Sequence, residues 1–173
     1  MTTSTPHLSH VRRAERRDLP ALHRLVLGLA RYERLEDQVV STPADFERAL
    51  FSDNAAVEAA LLWPTAKEDG EPVAFALFFH NFSTFLGRRG LYLEDLFVLP
   101  EHRGRGYGKV LLIHLARIAV ERGCGRFEWS VLDWNVDAQA FYQSLGAVVM
   151  PDWRITRVTG EALRTLADRD LAS

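Results

Sequence analysis

The residues best suited to chemistry are concentrated between Leu91 and Lys109. Two adjacent carboxylates, Glu94 and Asp95, interrupt an otherwise apolar run there. A carboxylate within an apolar strand is costly unless it is paired or used, so the two side chains are candidates for proton transfer or cation binding. A structural ion pair with a basic side chain is the alternative for Glu94. Adjacent strand residues alternate between faces, so we expect Glu94 and Asp95 on opposite faces.

A glycine-rich segment, Arg103–Gly108, follows this run directly. Glycines at every second position let the backbone approach an anion and adopt positive φ. A helix that begins behind such a segment aims free N–H groups and a positive dipole at the same place. The segment therefore predicts a site for phosphate or pyrophosphate. A flexible turn with two solvated arginines is the alternative.

Two common nucleotide motifs do not fit this segment. A P-loop needs a Ser or Thr after its Gly-Lys pair, and Val110 follows Gly108-Lys109 here. A dinucleotide-binding G-x-G-x-x-G that starts at Gly104 would need glycine at position 109, which is lysine. The ligand is therefore a phosphate compound of another kind.

The elements that must position these residues alternate between strands and helices. Apolar residues at helical spacing, capping residues and Gly or Pro breaks define the boundaries. We predict strands at 11–14, 57–63, 72–82, 91–99, 127–134 and within 148–158, and helices at 19–32, 43–51, 109–122, 136–145 and 161–167. Strands joined by short Gly-containing links favour an antiparallel meander. The fold class is therefore mixed α/β around a central sheet.

Composition limits the class of protein further. The 173 residues suit one domain, which we place at 11–173 behind a flexible tail at 1–10. A formal charge of −2 argues against a nucleic-acid partner, and no apolar run reaches the ~20 residues of a membrane span. Cys124 is the only cysteine, which excludes an internal disulfide and a Cys-rich metal site. We expect no metal and a reducing, cytoplasmic setting.

The motifs together resemble one enzyme family. The pattern Arg103-x-x-Gly106-x-Gly108 behind an acidic strand resembles the acetyl-coenzyme A loop of the GNAT N-acetyltransferases. The chain is most similar to their diamine group, the spermidine/spermine and thialysine acetyltransferases. The matching stretches are 31–33, 37–39, 92–95, 103–108, 123–124, 131–135, 141–142 and 145–147. Asp152 departs from the glycine that relatives commonly carry before the tryptophan at 153.

The resemblance implies a fold and a co-substrate site. The fold is a twisted, mostly antiparallel sheet flanked by helices, with strands that splay where acetyl-CoA enters. Backbone groups near Phe97 and Val98 would meet the pantetheine arm, and Asn135 would hold it, with a helix cap as the other role for Asn135. The residues of the implied pyrophosphate site are Arg103, Gly104, Arg105, Gly106, Tyr107, Gly108 and Lys109.

The resemblance also implies catalytic roles. An alkyl amine is almost wholly protonated at neutral pH, so a base must remove a proton before the amine attacks. Glu94 matches that base. A departing thiolate gains from protonation, and Tyr142 matches the acid. Packing beside Phe141 is the other role for this tyrosine.

Substrate residues are implied more loosely. The carboxylates of Glu33, Glu36 and Asp37 would attract a cationic amine, although a solvated acidic loop fits equally. Tyr92, Asp95 and Trp134 would line the pocket, or the aromatic pair would belong to the core. Further candidates rest on the resemblance alone; they are Asn81, Ser83 and Thr84.

The sequence thus predicts an acetyl-CoA-dependent N-acetyltransferase. It would transfer acetyl to a primary amine of a small molecule, such as a thialysine-like amino acid, a diamine or a polyamine, by direct attack in a ternary complex. The resemblance implies a homodimer. Two alternatives stay open: an acetyltransferase for protein or peptide amines, and a non-catalytic acetyl-CoA sensor.

Overall fold

The computed structural model describes residues 9–169. These residues form a mixed α/β fold of five strands and five α-helices, as the sequence predicts. The strands are β1 (His10–Arg13), β2 (Glu58–Trp63), β3 (Ala74–Ser83), β4 (Arg88–Val98) and β5 (Phe127–Trp129). The helices are α1 (Leu19–Glu33), α2 (Pro43–Phe51), α3 (Tyr107–Glu121), α4 (Val136–Ser144) and α5 (Gly160–Ala167).

The five strands form one sheet in chain order, β1-β2-β3-β4-β5. The first three pairs are antiparallel, and β4 pairs with β5 in parallel. The prediction of a mostly antiparallel sheet is confirmed. The parallel step follows from α3, which carries the chain from the end of β4 back to the start of β5.

Apolar side chains on alternate strand residues bury both faces of the sheet. On one face the helical repeat of α1 places Leu22 and Leu25 in a core cluster with Phe75, Leu77 and Phe97. The other strand positions are buried as well, and α3 packs on β2, β3 and β4 with fully buried apolar side chains of its own. The central strands therefore lie between α1 on one face and α3 on the other.

The chain divides into two compact units. The first runs to Ser130 and contains the whole sheet with α1, α2 and α3. The second begins at Val131 and contains α4 and α5, and no residue from 131 to 169 is buried. The single domain at 11–173 stays a prediction. Of the predicted tail at 1–10, residues 1–8 lie outside the described residues, and His10 begins β1.

Two predicted strands differ from the structure. The strand expected at 127–134 ends at Trp129, and the chain then turns toward α4. The segment 148–158 contains no strand, although its alternating apolar residues predicted one. A strand is stable only when its N–H and C=O groups pair with those of another strand, and within residues 9–169 this segment forms no such pairs.

Gly28 sets the distance between α1 and β4. A Cβ atom at this position would lie 2.8 Å from the ring of Phe97. Because Phe97 is buried, the ring has little room to move. We expect Gly28→Ala to lower the free energy of unfolding by about 1–2 kcal/mol, since overpacking costs more than the helix propensity gained. Urea denaturation measures the change.

Gly108→Ala is the matched control, because its Cβ would meet only Val98, at 4.0 Å. We expect this variant to be as stable as the unmodified protein or slightly more stable. A Gly28→Ala protein more stable than the unmodified one would contradict the close contact of α1 with Phe97.

Candidate active site

A β-bulge lies in the middle of β4. Leu77 of β3 faces Asp95, while the next residue, Phe78, faces Leu93, so Glu94 is the extra residue on β4. The bulge reverses the alternation beyond it and moves Asp95 to the face that α1 covers, the same face as Tyr92. The expectation that Glu94 and Asp95 point to opposite faces is therefore wrong. It assumed an uninterrupted strand.

The bulge and the end of α1 bring the carboxylates of Glu94 and Glu33 within electrostatic range of Asp95. Burial raises the pKa of Asp95 to about 6, and the nearby charges of Glu94 and Glu33 add to this rise. Burial also raises the pKa of Glu33. Glu94 is exposed at the bulge. We define Glu33, Glu94 and Asp95 as the acidic cluster. Desolvation and like charges both oppose the ionisation of Asp95, and a bound cation would offset this opposition.

The other two acidic residues of the predicted substrate loop behave differently. Glu36 is exposed and accepts a hydrogen bond from Arg31 Nε at 2.7 Å. Asp37 is exposed. Of the three carboxylates at 33–37, only Glu33 acts electrostatically on Asp95.

The glycine-rich loop has the backbone of an anion cradle. Gly104 and Gly106 have φ of 72° and 82°, and nothing lies within 4 Å of the position that a Cβ would take on either residue. α3 begins at Tyr107, two residues earlier than predicted, so its free N–H groups follow Gly106 directly. Lys109 is exposed on its first turn. Such a backbone suits a phosphate group, and the role of this loop as a pyrophosphate site stays a prediction.

The two arginines of this loop contact protein groups. The Arg103 guanidinium lies 4.3 Å from the centre of the Tyr32 ring and 5.5 Å from that of Phe97. Its Nε donates to the carbonyl of Val98 at 3.1 Å. Arg105 Nη2 donates to the carbonyl of Glu101 at 3.4 Å. Their role in pyrophosphate binding stays a prediction.

The pairing between β4 and β5 ends one residue before Glu94 of the acidic cluster. They pair only from Leu91 to Leu93 on β4, because β5 ends opposite Leu93. Within the described residues, the part of β4 from Glu94 to Val98 has no strand on that side. The backbone of Phe97 and Val98 lies along this open edge, where the resemblance implies that pantetheine enters.

Three predicted site residues belong to the second unit. Asn135 caps α4, since its Oδ1 accepts from the Ala138 N–H at 3.3 Å. Tyr142 lies on α4 beside Phe141, with ring centres 5.4 Å apart. Trp134 is 60% exposed. The cap is the observed role of Asn135, and the functional roles of all three stay predictions.

The structure adds polar residues that sequence reasoning missed. Tyr92, a predicted pocket residue, shares a hydrogen bond of 2.8 Å with Ser130, which was not a candidate. Asn81 donates to Glu128 at 2.8 Å, and Glu128 was not a candidate either. The position of Glu128 between two aromatic residues of a short strand was the available signal. Ser83 is buried, and its hydroxyl accepts from the Leu86 N–H in the β3–β4 turn.

Comparison with known proteins decides the family. The sequence profile of the Acetyltransferase (GNAT) family matches residues 27–147. The chain belongs to this family. The prediction from its motifs is thereby confirmed, and the protein is an N-acetyltransferase.

Relatives of this acetyltransferase match over most of their length. It is 33% identical to L-ornithine N5-acetyltransferase NATA1 of Arabidopsis thaliana, over 95% of this chain and 91% of that protein. It is 35% identical to thialysine N-epsilon-acetyltransferase of Sus scrofa, over 92% of this chain and 97% of that protein. The resemblance to the diamine group is confirmed.

Solved structures agree with the fold of the acetyltransferase. An integron cassette protein from V. cholerae superimposes with a TM-score of 0.77 at 27% identity, covering 93% of this chain and 98% of that one. Within residues 9–169, no helix is long and apolar enough to cross a membrane. The same range holds no group of three or more His, Cys, Asp or Glu side chains suited to a metal ion.

The acidic cluster predicts an unusual titration. Asp95 should titrate near pH 6, and Glu33→Gln should lower its pKa, because a neutral amide removes one of the negative charges that oppose ionisation. Carbon-13 NMR of the Asp95 carboxyl measures both values. The control is Glu36→Gln, which should leave the titration unchanged because Glu36 is exposed and paired with Arg31. An Asp95 carboxyl that titrates near pH 4 in the unmodified protein would contradict the cluster.

Proposed function

We propose that this acetyltransferase moves an acetyl group from acetyl-CoA to a primary amine of a small cationic molecule. The acidic cluster carries the proposal. At the β4 bulge, burial and the charges of Glu94 and Glu33 raise the pKa of Asp95 to about 6, beside a strand edge that is open for a thioester. The named activities of the ornithine and thialysine relatives support the same substrate class.

The acidic cluster would bind the amine in its ammonium form. A cation placed between Glu33 and Asp95 offsets the repulsion between their carboxylates and favours their ionised forms. A bound ammonium would counteract the burial and like charges that raise the pKa of Asp95 in the unliganded protein. Tyr92, on the same face, provides an aromatic surface for the alkyl chain beyond the ammonium.

Acetyl-CoA would bind along the loop and the open strand edge. The free N–H groups of the Gly104–Gly108 backbone and the α3 N-terminus suit the pyrophosphate. The backbone of Phe97 and Val98 suits the pantetheine amides. Acetyl-CoA supplies an activated acyl group, so a covalent acetyl-enzyme is not required.

The transfer needs two protein groups. The ammonium loses a proton to Glu94, whose exposed position lets the proton pass to water. The amine nitrogen attacks the thioester carbonyl carbon, so a C–N bond forms and the C–S bond breaks. The nitrogen sheds its second proton to solvent, and Tyr142 protonates the thiolate, as the family resemblance implies. One proton is released overall, with N-acetylamine and coenzyme A as products.

We also propose a homodimer in a reducing, cytoplasmic setting. The family resemblance supports the dimer. The single cysteine, Cys124, supports the setting.

An amine panel tests the proposed activity. Coenzyme A release from acetyl-CoA should be saturable with at least one of ornithine, thialysine, lysine, putrescine and spermidine, and absent without an amine. Peptides with free N-termini form the second arm. Turnover of peptides alone would favour a protein substrate. Binding of acetyl-CoA without turnover of any amine would favour a sensor and contradict the proposal.

Glu94→Gln tests the base. We expect kcat to fall roughly 100-fold at pH 7, the usual contribution of a general base, and to fall less at pH 10, where the amine deprotonates without help. Tyr142→Phe is the comparison variant, because loss of the acid slows transfer without that recovery at high pH. A pH-rate profile of kcat measures both. An unchanged rate for Glu94→Gln at every pH would contradict the assignment.

A further inference from the structure

A groove of about 600 Å³ lies on the sheet face opposite to Asp95 of the acidic cluster. Phe82 of β3 pairs with Arg89 of β4, so these two side chains share one face. Asp95 pairs with Leu77, an odd-numbered residue of β3, and therefore lies on the other face. The end of α3 completes the groove, and the acetyl transfer proposed above does not use it. The side chains that define this basic groove are those of His80, Phe82, Arg88, Arg89 and Arg122.

Two of the three arginines in the basic groove have no counter-charge. Arg122 Nη2 donates to Glu58 Oε2 at 3.0 Å, and Arg13 Nε lies 3.7 Å from the same carboxylate oxygen. Within residues 9–169, the guanidinium groups of Arg88 and Arg89 form no ion pair and no hydrogen bond. Glu58 is already shared by two arginines, so it does not offset the charge of the other two.

The imidazole of His80 shows that these charges act on one space. Burial lowers the pKa of His80, and the positive charges of Arg122 and Arg89 lower it further against the opposing effect of Glu58. Arg122 Nη1 lies 3.5 Å from His80 Nε2. The two arginines come from different elements, α3 and β4, and both lie within electrostatic range of this ring. An anion in the groove would offset the repulsion between them.

The C-terminus of α3 does not cancel this positive charge. A helix C-terminus carries a partial negative charge on its free carbonyls. The N–H groups of residues 122–124 each donate to a carbonyl of the last turn, at 2.9 to 3.0 Å. Glu121, the last residue of α3, is exposed and does not line the groove. The arginine side chains therefore determine which ligands the groove attracts.

The side chains of the basic groove suit a phosphate group that is joined to a planar ring. A guanidinium matches two phosphate oxygens at once, and Arg88 and Arg89 each have theirs free. The ring of Phe82 lines the same groove and is 61% exposed, which leaves a flat face for stacking. The volume of the groove is within the usual range for small-molecule sites. Nucleotides combine phosphate and ring in one compound.

We propose that the basic groove binds a nucleotide, with its phosphates on Arg88 and Arg89 and its base against Phe82. The inference goes beyond the proposed acetyl transfer and holds whichever amine is the substrate. The groove is distinct from the glycine-rich loop, which follows the opposite end of β4. Coenzyme A also carries a nucleotide at one end, so a free nucleotide and a second coenzyme A molecule share this chemistry.

An NMR titration with ADP, followed at the His80 ring, tests the proposal at this site alone. ADP should shift the ring signals with saturation. A double variant, Arg88→Gln with Arg89→Gln, should bind ADP at least tenfold more weakly, because it removes both free guanidinium groups. The matched control is Arg117→Gln, an exposed arginine of α3 outside the groove, which should bind ADP as the unmodified protein does. Phe82→Ala should weaken the binding of ADP and not that of pyrophosphate, which has no ring.

Titration with coenzyme A distinguishes the two sources of the nucleotide. Shifts of the His80 ring at the same concentrations as for ADP identify a second coenzyme A molecule, and their absence identifies a free nucleotide. Circular dichroism shows that the variants are folded. The proposal is overturned by an unshifted His80 ring, by equal ADP affinity in the double variant, or by pyrophosphate that binds as tightly as ADP. The readout is binding, so none of these outcomes depends on acetyl transfer.

Discussion

One extra residue in β4 determines the rest of the site. The bulge at Glu94 turns Asp95 to the face that α1 covers, within electrostatic range of Glu33 at the end of α1, and β5 stops pairing with β4 one residue before the bulge, at Leu93. The acidic side chains and the open backbone edge are therefore neighbours on one strand. An amine held by the carboxylates and a thioester entering along the edge would meet at this point, which is the condition for direct transfer.

The folded state carries an electrostatic cost at the acidic cluster. The pKa of Asp95 rises from 3.8 to about 6, which corresponds to roughly 3 kcal/mol of opposition to ionisation in the folded state. That cost is absent below about pH 4, where Asp95 is protonated in both states, and is fully present above about pH 6. Packing of α1 on Phe97 and Leu77 supplies the stability that offsets it. A bound cation removes part of the cost, so substrate binding and folding stability are coupled.

Local signals in the sequence were sufficient to predict most helices and strands and the glycine-rich loop. Pro43–Phe51 matches its predicted bounds, because a capping box and a proline define its start. The bulge was not predictable, since the register of β4 depends on β3 as well as on its own residues. The strand expected at 148–158 failed for the same reason: alternation shows that a segment can pair, and a neighbour decides whether it does. The hydrogen bond between Asn81 and Glu128 was not predictable, because strand pairing and not sequence proximity brings these residues together.

Arg103 links the two halves of the site. It belongs to the glycine-rich loop, yet its guanidinium lies over Tyr32, the neighbour of Glu33 on α1. Its Nε also satisfies the Val98 carbonyl on the open edge of β4. An unpaired backbone carbonyl beside a buried core is costly, so this contact stabilises an edge that lacks a neighbouring strand. One guanidinium from the glycine-rich loop therefore contacts both the end of α1 and the end of β4, and it ties the loop to these two elements.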